Sequence, residues 1–85
     1  MIVNKNEFIK SFLNDDTTKK ANNLFMILND DKIEVVNYYT IIASKKINDD
    51  TINLNIKKYS QTTSKNQNLI KRLATQKGYT IKEYQ

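Results

Sequence analysis

Apolar positions near the start of the chain recur with helical spacing. Phe8, Ile9, Phe12 and Leu13 fall on one stripe, with Lys5, Asn6, Lys10 and Ser11 off it. Asn4 stands where an N-cap belongs, and Glu7 three residues on completes a capping box. Val3 and Phe8 have the spacing of a hydrophobic staple. The pattern predicts a short helix closed by Asn14-Asp15-Asp16. Residues 17–23 are polar and carry no readable period.

From Leu24 the character turns to β. Leu24–Leu28 is a compact apolar run, and Asn29-Asp30-Asp31-Lys32 reads as a turn. Ile33–Ser44 is rich in β-branched and aromatic residues and apolar on both faces, which predicts one long central strand. Asn48-Asp49-Asp50 is a second turn. Thr51–Tyr59 then alternates, with Ile52, Leu54 and Ile56 on one face and Thr51, Asn53, Asn55, Lys57 and Tyr59 on a wet one. Thr62-Thr63-Ser64 offers capping hydroxyls to a second helix, whose buried stripe is Leu69, Ile70, Leu73 and Ala74. Gly78 stands where a left-handed residue ends such a helix, and residues 79–84 alternate again as a last strand. The order α-β-β-β-α-(β) predicts the α+β class: a small antiparallel sheet of three to four strands packed by two helices, with residues 1–85 forming a single domain. Val3, Phe8, Phe12, Leu54, Ile56, Leu69 and Leu73 are its expected core.

Composition narrows the chemistry. The 85 residues hold no cysteine and no histidine, and glycine and proline together contribute only Gly78. Disulfides, thiolate nucleophiles, most zinc sites and the usual general base are therefore excluded. No apolar run approaches membrane-spanning length, and the polar start does not read as a signal peptide, so a cytoplasmic protein without membrane contact is expected. The net charge of +5 is uneven. Residues 1–44 carry five lysines against six acids, whereas residues 45–85 carry eight lysines and Arg72 against Asp49, Asp50 and Glu83. A basic half of this kind suits an acidic partner, a nucleic acid or the negative face of a protein.

Three groupings are candidate sites. The three Asn-Asp-Asp triplets are the only carboxylate clusters, and hard cations such as Mg²⁺ want several oxygens. Each triplet sits in a turn, though, where Asp is favoured for its bonds to nearby backbone, so no metal, cofactor or catalytic group is expected. Thr62-Thr63-Ser64-Lys65 at a helix start combines hydroxyls, backbone N–H groups and an ammonium, the makings of an anion site. Lys57 and Tyr59 on the wet strand face, with Tyr38 on the neighbouring strand, pair cations with aromatic rings as single-strand and RNA platforms do. Lys65 and Arg72 are two helical turns apart and should share a side. The expected partner surface is therefore Tyr38, Lys57, Tyr59, Thr63, Lys65, Lys71 and Arg72. With one arginine in the chain, recognition of backbone or shape is expected ahead of DNA base reading.

Tyr38-Tyr39-Thr40-Ile41-Ile42-Ala43, then Ile52-Asn53-Leu54-Asn55, then Lys58-Tyr59-Ser60-Gln61-Thr62-Thr63-Ser64-Lys65 form an ordered set covering about a third of the chain. It resembles a family of small domains in phages and mobile elements of low-GC Gram-positive bacteria. Their common pattern is a strand ending Tyr-x-Thr-x-Ile-Ala, a hairpin, and Tyr-Ser-x-Thr-Thr-Ser-Lys opening a helix. Many members carry His where Asn66 stands here. The resemblance implies a mobile-element setting, in which small proteins without catalytic groups often act by stoichiometric binding. The expected function is a non-enzymatic inhibitor of a host defence complex, of anti-CRISPR kind, whose partner is a host protein or ribonucleoprotein. The alternative is an accessory protein of a phage or plasmid that binds a nucleic-acid backbone. A homodimer is compatible with either.

Overall fold

The structure is a computed structural model that describes residues 2–85. Helix α1 (Lys5–Leu13) opens the chain, four strands follow, β1 (Leu24–Asn29), β2 (Lys32–Asn37), β3 (Thr40–Lys46) and β4 (Thr51–Asn55), and then come helix α2 (Gln61–Gln76) and strand β5 (Thr80–Tyr84). The start of α1 is as its sequence predicts: Asn4 is the N-cap and its Oδ1 accepts from the Glu7 N–H at 2.8 Å. The fold is α+β, with the five strands in sheet order β1-β2-β3-β4-β5. Strands β1 to β4 are antiparallel neighbours. Helix α2 carries the chain back across the sheet, so that β5 lies parallel to β4.

Cross-strand register assigns the two faces. Leu24, Ile33, Val35, Ala43, Ile52 and Leu54 face the helices and are buried with Phe8, Ile9, Phe12, Leu13, Ile70, Leu73 and Ala74 in one core. Among the described residues no layer covers the opposite face. Phe25 pairs with Val36 and Val36 with Ile41, while Ile27 pairs with Glu34 and Asn55 with Tyr84. Of these, Phe25, Ile27, Ile41 and Tyr84 remain exposed. Burial first, then Tyr59 and Glu34 nearby, push the Tyr84 phenol above its ordinary pKa. A bulge on β3 between Ile41 and Ala43 lets Ile42 and Ala43 both reach the core.

Three expectations need correction. The long strand over Ile33–Ser44 is two strands joined by the two-residue turn Tyr38-Tyr39, and the double-sided apolar pattern arises because β2 and β3 are each central. The sheet has five strands, and the last pairs in parallel, not antiparallel. Thr51–Tyr59 pairs only as far as Asn55. Ile56, 36% exposed, lies beyond the strand and outside the core, while Val3 and Leu69 pack on its margin, half-buried.

Candidate functional site

Register also sorts the chemistry by ends of the sheet. Leu24, Asn37, Thr40, Asn55 and Tyr84 form one terminal row, so Tyr38, Tyr39, Tyr59 and Tyr84 gather at that end. Asn29, Lys32, Lys46, Thr51 and Thr80 form the other, where the turns holding Asp30, Asp31, Asp49 and Asp50 lie. Asp15 and Asp16 join them there, because Asp15 accepts from the Asn48 amide at 2.9 Å. All six aspartates thus sit at one end and four of the five tyrosines at the other.

The segment from β4 to α2 belongs to the tyrosine end and is tightly held. Gln67 of α2 donates from Nε2 to the Asn55 carbonyl at 2.7 Å and the Lys57 carbonyl at 3.1 Å. The Asn55 side chain donates to the Ile41 carbonyl at 3.1 Å and the Tyr59 hydroxyl at 3.0 Å, and accepts from the Lys57 amide at 2.9 Å. The Lys57 ammonium stands 5.7 Å from the centre of the Tyr59 ring, within cation–π range. Ser60 caps α2, its Oγ accepting from the Thr63 amide at 3.2 Å, and the Gln61 and Thr62 amides of the first turn have no intrahelical partner.

Two adjoining hollows run from this helix start along α2. The first, about 700 Å³, is lined by Lys58, Tyr59, Ser60, Gln61, Ser64, Lys65 and Asn68. The second, about 430 Å³, lies between the helices and is lined by Lys5, Lys65, Asn66, Asn68, Leu69 and Arg72. Shared walls at Lys65 and Asn68 make them one trough, and a third hollow, which holds Lys71 and Glu83, adjoins the first at Lys58, Ser64 and Asn68. Lys58, Lys5, Lys65 and Arg72 border the trough, and no acidic side chain among the described residues lines either of its two parts.

Of the residues singled out from sequence, Lys65 and Arg72 do share a side, and Tyr59 lines the trough with them. Lys57 lies next to Tyr59, in the connecting segment beyond β4. The others are dispersed. Thr63 is only 3% exposed and its hydroxyl accepts from Ser60 at 3.2 Å, because the cap is Ser60, two residues before the expected one. Lys71 is paired with Glu83 of β5 at 2.7 Å, in a hollow that adjoins the trough at Lys58, Ser64 and Asn68. Tyr38 is in the β2–β3 turn at φ +58, not beside Tyr59 on a strand, and its hydroxyl accepts from Asn23 Nδ2 at 3.3 Å. Sequence reasoning missed Lys5, which proximity of the helices alone brings to the trough, and Gln67, whose polar side chain inside an apolar stripe was the available signal.

At the acidic end Lys45 is 1% exposed and donates to Asp15 and to the Lys46 carbonyl at 3.0 Å. Burial alone raises the Asp15 carboxyl, but the Lys45 and Asn48 hydrogen bonds and the Lys45 charge outweigh it and hold the group below its ordinary pKa. The triplets come no closer to a metal centre: among the described residues no three carboxylates are grouped to hold an ion. Nor is any helix among the described residues long and apolar enough to cross a membrane. No protein family, curated protein or solved structure matches the chain.

Proposed function

We propose that the protein works by stoichiometric binding rather than catalysis, and that the trough along α2 receives the phosphate backbone of a nucleic acid. The observation that carries this reading is the convergence of Lys58, Lys65, Lys5 and Arg72 on two joined hollows whose lining holds no carboxylate, Glu83 of the adjoining hollow being taken up by Lys71. Exposed cations with acids interspersed make an ordinary soluble surface; cations lining a groove on their own concentrate positive potential for a polyanion. In the mobile-element setting that residues 38–65 resemble, a host defence ribonucleoprotein supplies such a backbone as guide or target strand. The chain then acts as an inhibitor of anti-CRISPR kind. An accessory protein binding bare nucleic acid of the element itself is the second reading, favoured by the exposed Tyr59 beside the trough, a ring on which a base can stack.

Fluorescence anisotropy with a labelled single-stranded oligonucleotide, run beside capture of purified host defence complexes, tests both. Capture of a complex with no affinity for the bare strand supports the inhibitor. Salt-sensitive binding of the bare strand without capture supports the accessory protein. Absence of both refutes the polyanion reading.

A further inference from the structure

We infer that the part of the trough between α1 and α2 is a discrete phosphate subsite whose buried donor is the Asn66 side-chain amide. The inference rests on the polyanion reading and adds a place and a hydrogen-bond donor to it. Asn66 is 1% exposed, yet its Nδ2 has no hydrogen-bond partner among the described residues. A buried amide donor without an acceptor is costly, and folded proteins seldom leave one unmet. The residue lines the cleft that Lys5, Lys65 and Arg72 border. Asn66 therefore lines a site whose charged groups are all cations, and an anionic acceptor is what the set lacks.

Local geometry fits a phosphate. Lys5 is the first residue of α1, so the positive end of that helix dipole adds to the side-chain charges. Arg72 supplies a planar fork suited to two phosphate oxygens, and Lys65 supplies a point charge one residue from Asn66. The remaining wall includes Leu69, which gives an ester's organic part an apolar surface to rest on. The hollow at the other end, lined by Asp15, Asp49, Asp50 and Lys45, has no such opening, since Lys45 is already paired with Asp15. The shared chemistry is a phosphate ester, drawn either from a nucleic-acid backbone or from a small phosphorylated compound.

The test uses the full chain in ¹H–¹⁵N correlation spectra at low ionic strength. The Asn66 side-chain amide is assigned by its disappearance in Asn66→Leu, or in Asn66→Asp if the first variant does not fold. Inorganic phosphate should shift that amide saturably, while chloride at matched ionic strength should not. Lys5→Gln with Arg72→Gln, both surface changes that leave the core intact, should weaken phosphate by about tenfold or more, the loss expected for one charge-assisted hydrogen bond. No shift, the same shift with chloride, or unchanged affinity in the double variant overturns the subsite. A 5′-mononucleotide saturating well below an oligonucleotide at equal phosphate concentration identifies a small ligand; the reverse order identifies a backbone. Oligonucleotide binding that leaves Asn66 unmoved refutes the subsite alone. A phosphate shift at Asn66 without oligonucleotide binding refutes the polyanion reading alone.

Discussion

Lys45 occupies a core-facing position of β3, opposite Ile33, and its ammonium is fully taken out of water. Such a charge is tolerated only while Asp15 and the Lys46 carbonyl meet it. Asp15→Asn should therefore cost about 3 kcal/mol at neutral pH, near the lower bound for breaking a buried pair because Asp15 keeps some solvent. Lys45→Met should be close to neutral, since it removes the buried charge and keeps the volume. Thermal melts of the two variants check the asymmetry. Because the folded-state pKa of Asp15 is depressed, its contribution is complete above its ordinary value of about 4 and fades as pH falls through the lower, folded value. Wild type and Asp15→Asn should accordingly converge in stability on acidification, and a constant gap down to pH about 2 contradicts the assignment. Tyr38 presents the converse situation, a bulky residue at φ +58 in a two-residue turn. Tyr38→Asn should stabilise by about 1 kcal/mol, because Asn accepts the left-handed region more readily, set against a weak bond from Asn23. A lower melting temperature in that variant counts against strain at this turn.

The same turn explains why one strand was expected where there are two. A hairpin announces itself through Asn-Gly, Asp-Gly or similar pairs, and Tyr38-Tyr39 instead has the composition of a strand interior. The caps and stripes of α1, by contrast, are local devices and were readable. So was the end of α2: Gly78 is at φ +82, with its N–H on the Thr75 carbonyl at 3.0 Å and the Tyr79 N–H on the Ala74 carbonyl at 2.9 Å, a Schellman motif. Nothing lies within 4 Å of a Cβ placed there, so Gly78→Ala should cost about 1 kcal/mol through backbone conformation alone. A variant as stable as wild type in urea unfolding shows that the turn relaxes out of the left-handed region. Parallel pairing of β5 was not legible, since alternation over five residues states that a strand exists and not which neighbour it takes. The candidate site divides along the same line. Helical spacing brought Lys65 and Arg72 together, but the rotation of α2 on the sheet decided that Lys71 meets Glu83 and that Thr63 is buried.

Lys5 lines the cleft with Lys65 and Arg72, and the Leu13 carbonyl accepts from the Tyr79 hydroxyl at 2.7 Å, so α1 and α2 run in the same direction. Both helices point their positive dipole ends toward the tyrosine end and their negative ends toward the six aspartates. The electrostatic polarity of the molecule is thus built twice, by charge placement and by backbone orientation, and under the proposed function it orients the incoming polyanion. Lys65 and Arg72 are seven residues apart on α2, roughly 10 Å along its axis, so a strand following the helix meets Lys58, Lys65, Lys5 and Arg72 in one extended contact. If all four neutralise phosphates of a single strand, the logarithm of affinity should fall with the logarithm of salt at a slope of about −3. Lys65→Glu with Arg72→Glu should reduce that slope to about −1.5 or abolish measurable binding, with the melting temperature little changed because both side chains are exposed. Lys77→Glu removes the same kind of charge from the far end of α2 and should leave the slope unchanged, which separates a local contact from an effect of net charge. A loss from Lys77→Glu of about half that from the double variant, in proportion to the charge changed, means that the strand is held by the overall charge of the protein and not by the trough.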